Sequence, residues 1–360
     1  MTPDAVSLKE SSKSNILLIY MGGTIGMIED PDTGTLRAFD FTHLQQHVDE
    51  LQHLDCSISS IQFEPPIDSS NVSVDLWLEL AGTIADNYDK FDGFVVLHGT
   101  DTMAYTASAI SFLLEGLNKP VIFTGSQLPI GKIRTDGKEN LITALQIAAE
   151  KNEAGEPMVP EVCIFFNSNL LRANRTVKSS ADQFSAFHSY NYPPLGHAGI
   201  DIVYNKRNIH RYKAEDNVVF TPLTRMEQHV SVLKIFPGIT PSVVTNILSQ
   251  PDLKGIVIET YGSGNAPTFD WFVEAIKAAV SRGVVVVNVT QCNSGSVEMQ
   301  RYETGMKLSE IGVVSGKDMT TECALAKLMY LLAKPLTLDE VKRLMATSLC
   351  GEMTTKDSFS

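Results

Sequence analysis

Four side chains stand where apolar runs give way to glycine and small polar residues: Thr24 in MGGTIG, Thr100 and Asp101 in LHGTDT, and Lys178 in RTVKSS. A threonine hydroxyl is a weak nucleophile until a base takes its proton, and a lysine whose pKa is lowered by burial can be that base near neutral pH. A carboxylate can orient the lysine, so Thr, Lys and Asp form a nucleophile, base and orienter set. Spacing alone does not show that they meet. Asp101 serves equally as a helix cap, and a lone lysine such as Lys178 usually faces solvent. The chain has no G-x-S-x-G elbow and no persuasive Cys/His pair. The paired glycines Gly22 and Gly23 permit a tight turn and close approach to a ligand. They belong neither to G-x-G-x-x-G nor to a phosphate-binding loop, since no Lys-Ser/Thr follows, which excludes a nucleotide site there.

The elements that would position these groups alternate along the chain. Residues 15–20 (NILLIY) read as a buried strand ending at Thr24, and residues 94–97 as another ending at Thr100, followed by a small-residue helix from about Thr102 to Gly116. Between them, residues 41–54 pattern as a helix and 58–63 as a strand. The exit loop at 65–71 carries Asp68, Ser69 and Ser70. Hydroxyls there suit a small polar ligand, although Ser70 or Asn71 equally suits a cap for the helix running through Trp77 and Leu80. Strands at 120–124 and 161–166 and a helix at 141–151 continue the theme. Such alternation predicts an α/β fold with a doubly wound, mainly parallel sheet, whose strand exits face helix N-termini that favour anionic groups. Residues 29–39 are rich in turn formers and suit either a flap or hairpin over the Thr24 exit or an ordinary surface loop.

Polarity rises from residue 201 to 224, which divides the chain into an N-terminal α/β domain at 1–204, a linker at 205–224 and a smaller C-terminal α/β domain at 225–360. In the latter, strands are expected at 231–236, 255–260 and 284–290, with helices near 241–248, 269–282, 321–332 and 338–350. Its exits at 261–265 (YGSGN) and 291–295 (QCNSG) are again rich in glycine and polar residues.

At 360 residues, with 43% apolar and 20% charged residues, the composition is that of an ordinary globular protein. A formal charge of −13 without any basic run argues against nucleic acid as a partner. No window approaches the roughly 18 apolar residues of a membrane span, and the first residues lack a charged segment followed by an apolar one, so a soluble, cytoplasmic protein is expected. Five scattered cysteines without C-x-x-C spacing fit reduced thiols. His43 and His47 share i, i+4 spacing but lack the H-E-x-x-H glutamate, so no metal is expected.

Five stretches together, MGGTIG (21–26), LHGTDTMAYTA (97–107), FTGSQLP (123–129), RANRTVKSS (172–180) and YGSGNAP (261–267), resemble the bacterial L-asparaginase family, in particular its cytoplasmic type I branch. The resemblance runs from about Asn15 to Met353. It implies a two-domain α/β homodimer or homotetramer that hydrolyses the side-chain amide of L-asparagine to aspartate and ammonia, without a cofactor. Position by position, it implies that Thr24 is the nucleophile, that Thr100, Asp101 and Lys178 form the Thr-Asp-Lys set, and that Ser69, flanked by Asp68 and Ser70, holds the substrate α-carboxylate. Asp101 would also meet the α-ammonium, and Asn265 would reach the neighbouring subunit's site.

Two positions depart from the family pattern. Many members carry a flap tyrosine that assists the first threonine, and residues 33–39 contain none. Type I members with an allosteric asparagine pocket have a threonine before the catalytic lysine. Here that residue is Val177, although Cys292 lies where such a pocket would be.

Overall fold

The computed structural model describes residues 13–29, 36–38, 48–212, 218–300 and 303–355. Its larger sheet is built on β1 (Ser14–Gly22), which lies between β2 (Cys56–Ile67) and β3 (Gly93–Leu97), parallel to both. Next come β4 (Val121–Thr124) and β5 (Val162–Phe166), again parallel. The antiparallel strands β6 (Asn169–Arg172), β7 (Gly196–Ala198) and β8 (Ile202–Tyr204) complete the order β8-β7-β6-β5-β4-β3-β1-β2. The central strands read as unbroken apolar runs because both faces are covered. Leu17 and Ile19 of β1, with Phe94 and Val96 of β3, face a core formed with α1 (Val74–Asp86) and α2 (Met103–Leu113). Ile16, Leu18, Val95 and Leu97 point the other way, to Leu141, Ala144 and Leu145 of α3 (Gly137–Ala149). This two-residue alternation is the pleat of the sheet. In the parallel order β2-β1-β3-β4-β5 the winding reverses between β1 and β3, and ligands bind at such reversals outside the carboxyl ends of the strands.

A second sheet holds β9 (Val230–Lys234), β10 (Gly255–Thr260), β11 (Val285–Thr290) and β12 (Val314–Ser315), all parallel. One face packs on α4 (Pro241–Leu248) and α5 (Asp270–Ser281), and α6 (Glu303–Glu310) follows β11. The other face is covered by α7 (Thr321–Leu332) and α8 (Leu338–Met345). The core of α1 and α2 continues through α7 into this second sheet, with Phe112 against Tyr330 at 5.6 Å between ring centroids. Two sheets are thus joined by one apolar layer.

Several sequence expectations are corrected. The described part of the helix expected at 41–54 is a 3-10 turn, Asp49–His53, and residues 39–47, with His43 and His47, lie outside the described residues. The cap of α1 is Ser73, which accepts from the Leu76 amide, rather than Ser70 or Asn71. The antiparallel strands β6–β8, the helix α6 and the short β12 were not expected; β7, β8 and β12 have only two or three residues, too few for a readable period. The helix expected to reach 350 stops at Met345, after which the chain folds around Glu352. Within the segment expected as a linker, Thr221–Pro222 pairs with Leu114–Glu115 at the end of α2. Met27–Glu29 pairs antiparallel with Leu36–Ala38, so the segment after Thr24 returns as a hairpin. Among the described residues no helix is long and apolar enough to cross a membrane.

Candidate active site

Three strand exits converge at the sheet reversal, and glycine makes this possible. Gly22 (φ 136°) and Gly23 (φ 92°) occupy backbone conformations that L side chains rarely adopt. A Cβ on Gly23 would lie 2.5 Å from the backbone of Gly99, and one on Gly99 would lie 2.5 Å from Ser69 Oγ. The turns bearing Thr24, Thr100 and Ser69 are therefore in direct contact. Thr24 opens a 3-10 turn, Thr24–Gly26, steadied by Tyr20 Oη donating to the Gly26 carbonyl at 3.1 Å. Ser69 is buried and opens the 3-10 turn Ser69–Asn71, and Thr102 Oγ1 donates to its carbonyl at 2.7 Å. Asp68 Oδ1 accepts from the Ser70 amide and hydroxyl, both at 2.9 Å, and these bonds hold its carboxyl below the ordinary value.

Lys178 arrives from the opposite side. After the 3-10 turn Ala173–Arg175, Val177–Lys178 pairs antiparallel with Phe187–His188, and this hairpin carries the lysine to the end of β3. Its Nζ donates to Asp101 Oδ1 at 2.6 Å and to Thr100 Oγ1 at 2.9 Å. The solvent-facing reading of Lys178 is thus corrected, its side chain being 17% exposed against 65% for Asp101. The capping reading of Asp101 is corrected too: the N-cap of α2 is Thr102, which makes no side-chain cap. A charged hydrogen bond to a specific partner has replaced the local bond that the sequence allowed.

Two further residues line this arrangement. Gln127 Oε1 lies 3.5 Å from Thr100 Oγ1, its Nε2 donates to the Gln183 carbonyl at 2.9 Å, and its amide is held by Asp136. His98 is buried beneath the turn, with Nδ1 donating to the Gly99 carbonyl at 2.7 Å. Burial pushes its imidazole down to about 4, so the ring is neutral at physiological pH. Sequence reasoning gave neither residue a role. The signal for Gln127 lay in the small polar turn after β4, while His98 looked like the end of a strand.

Asn265 sits elsewhere, in the tight turn after β10 where its amide donates to the Tyr261 carbonyl at 2.8 Å. Cys292 is exposed at the exit of β11, and Val177 is half-buried in the lysine hairpin. Among the described residues no three metal-ligating side chains cluster.

Comparison with known proteins gives the family of the chain. The N-terminal asparaginase family model matches residues 15–210, and the glutaminase/asparaginase C-terminal domain model matches 229–345. The chain is 43% identical to L-asparaginase 1 of Escherichia coli (strain K12), over 96% of this chain and 99% of that protein. It is 41% identical to the 60 kDa lysophospholipase of Mus musculus over 94% of this chain, but over only 62% of that longer protein. The solved structure of L-asparaginase I from Vibrio cholerae superposes with a TM-score of 0.85 at 43% identity, covering 96% of this chain and all of the other. With both family domains matched in order along one chain, and with these relatives, the protein belongs to the asparaginase family.

Proposed function

We propose that the protein is an L-asparagine amidohydrolase that works through a threonine nucleophile and a covalent acyl-enzyme. The observation that carries this reading is the bridge from Lys178 Nζ to both Thr100 Oγ1 and Asp101 Oδ1 at the β3 exit, whose turn touches the β1 turn that bears Thr24. Asp101, still largely exposed, attracts the α-ammonium of the substrate, while Ser69, with Asp68 and Ser70 shaping its turn, receives the α-carboxylate. So held, the amide carbon lies against Thr24. The Thr24 Oγ–carbon bond forms as the hydroxyl proton passes into the Thr100–Lys178 relay, and the relay delivers that proton to the amide nitrogen as the carbon–nitrogen bond breaks, so nitrogen departs as ammonia. Water then cleaves the Thr24 ester, giving aspartate and restoring the hydroxyl. Backbone amides and Thr100 stabilise the oxyanion in both steps.

The same reading takes the unit as cytoplasmic, consistent with its five unpaired cysteines, and as a homodimer or homotetramer in which Asn265 serves a neighbour's site. Its domains then run 1–204 and 225–360 about the linker at 205–224. The test is ammonia release from L-asparagine and L-glutamine by wild type, Thr24→Ala and Lys178→Met across a substrate series. Turnover of asparagine by wild type, reduced about 10³-fold or more in both variants, is the expected outcome. Asparagine binding without ammonia release by wild type would replace the hydrolase by a sensor.

A further inference from the structure

Lys178 belongs to the first domain, yet the turn that delivers it is bolted to the second. Three residues before the lysine, Arg175 is buried with its side chain 1% exposed. Its Nη2 donates to Asp318 Oδ2 (2.9 Å), Thr354 Oγ1 (2.9 Å) and the Asn191 carbonyl (3.0 Å), and its Nη1 donates to the Glu352 carbonyl (2.8 Å). Three of these four partners come from beyond β12. Thr354 closes the arrangement, since its amide donates to Asp318 Oδ1 at 2.9 Å and its hydroxyl to Asp318 Oδ2 at 2.5 Å. Between Arg175 and Lys178 the chain has little slack: Thr176 is fully buried and its hydroxyl donates to the Arg172 carbonyl at 2.7 Å.

We propose that Arg175, locked by Asp318 and Thr354, is a positioning residue that sets where Lys178 Nζ stands relative to Thr100 and Asp101. This rests on the reading of Lys178 as a catalytic group. A guanidinium enclosed in this way stays put because a displaced one would leave buried charge unpaired. The turn to Lys178 transmits that fixity to a group whose shorter contact is only 2.6 Å. The second domain therefore acts on the site from behind, through Thr354, without touching the reacting atoms.

The test compares full-length Thr354→Val, which keeps the side-chain shape and removes the hydroxyl, with Thr354→Ser, which keeps the hydroxyl. Tyr330→Phe, which alters a hydrogen bond to Glu115 at the same domain boundary, is the control. Two quantities are read for each: kcat and KM for asparagine, and the rate at which an amine-acylating reagent labels Lys178, located by peptide mass spectrometry. Thr354→Val is expected to lower kcat about tenfold with KM within about twofold, and to speed labelling severalfold as Nζ leaves its partners. Thr354→Ser and Tyr330→Phe should stay near wild type in both. The proposal is overturned if Thr354→Val matches wild type in kcat and labelling, or if Tyr330→Phe loses as much. Should wild type itself release no ammonia, the functional reading fails instead, and the labelling rates alone decide the positioning.

Discussion

Among the lysine–carboxylate pairs of the described residues, two of nearly equal length sit in opposite surroundings. Lys178 and Asp101 are 2.6 Å apart with side chains 17% and 65% exposed, while Lys327 and Glu352 are 2.5 Å apart and both wholly buried. In the second pair every direction is filled. Lys327 Nζ also donates to the carbonyls of Met345 and Thr347, and Glu352 accepts from the amides of Leu349 and Cys350 and the Ser348 hydroxyl. Burial pushes the Glu352 carboxyl up, but the adjacent Lys327 charge and these hydrogen bonds outweigh it and hold the group below its ordinary value. Such a pair closes a turn onto α7 and has nothing left to offer a ligand. Among the described residues the Lys178 pair adds a single hydroxyl, Thr100, and leaves Asp101 open to an incoming cation. Saturation of partners, more than distance, separates the structural pair from the reactive one.

The sharpest way to break this comparison is to remove the lysine from each pair. Lys327→Met should destabilise the fold by about 3–5 kcal/mol in denaturant unfolding, because it strands a buried carboxylate, and Lys327→Met with Glu352→Leu should recover much of the loss. Lys178→Met should change stability by less than about 1 kcal/mol, since half of its pair is solvent-screened. Equal stability losses in the two lysine variants would end the distinction.

The floor of the site sharpens the contrast through pH. The folded pKa of His98, about 4, lies below the ordinary imidazole value of 6.5, so the fold favours the neutral ring. Between these values the unfolded chain binds a proton that the native one does not. The stabilisation is therefore complete above about pH 6.5 and is lost as pH falls towards 4, by about 3 kcal/mol in total. Unfolding measured across this window, with His98→Gln beside wild type, should show a shallower slope in the variant. An identical slope would remove His98 from the account. A similarly small effect belongs to the partly exposed pair Lys334–Glu115, at 2.8 Å, where Lys334→Ala should alter stability by less than about 1 kcal/mol.

Much of the scaffold was legible before folding. Buried runs such as 94–97 and 255–260 announce strands whatever surrounds them, because covering both faces of a parallel strand demands unbroken apolar sequence. Helices buried on most sides, α2 and α7 among them, fall close to where their apolar and small residues put them. Strands of two or three residues, such as β7, β8 and β12, were not legible. β7 and β8 pair locally with each other and β12 is placed by β11, distant in the chain, but in each case their own residues carry too little periodicity to show it.

By itself the sequence determined which chemistry was available: threonines on glycine turns, a carboxylate beside one of them, a lysine among small polar residues, and exits where a small charged ligand fits. Tertiary structure alone decided which alternatives were realised. Asp101 was equally suited to capping a helix and Lys178 to facing water, and both were settled by a contact between residues 77 apart. The positions of Gln127 and His98, and the bolt from Thr354 to Arg175, depend on which turns are pressed together at a sheet reversal and across a domain boundary. A local pattern encodes what a residue can do within a few neighbours. The partner that fixes a charge is chosen by packing, because in a low-dielectric interior a charge is held where an opposite charge and hydrogen-bond partners can be assembled around it.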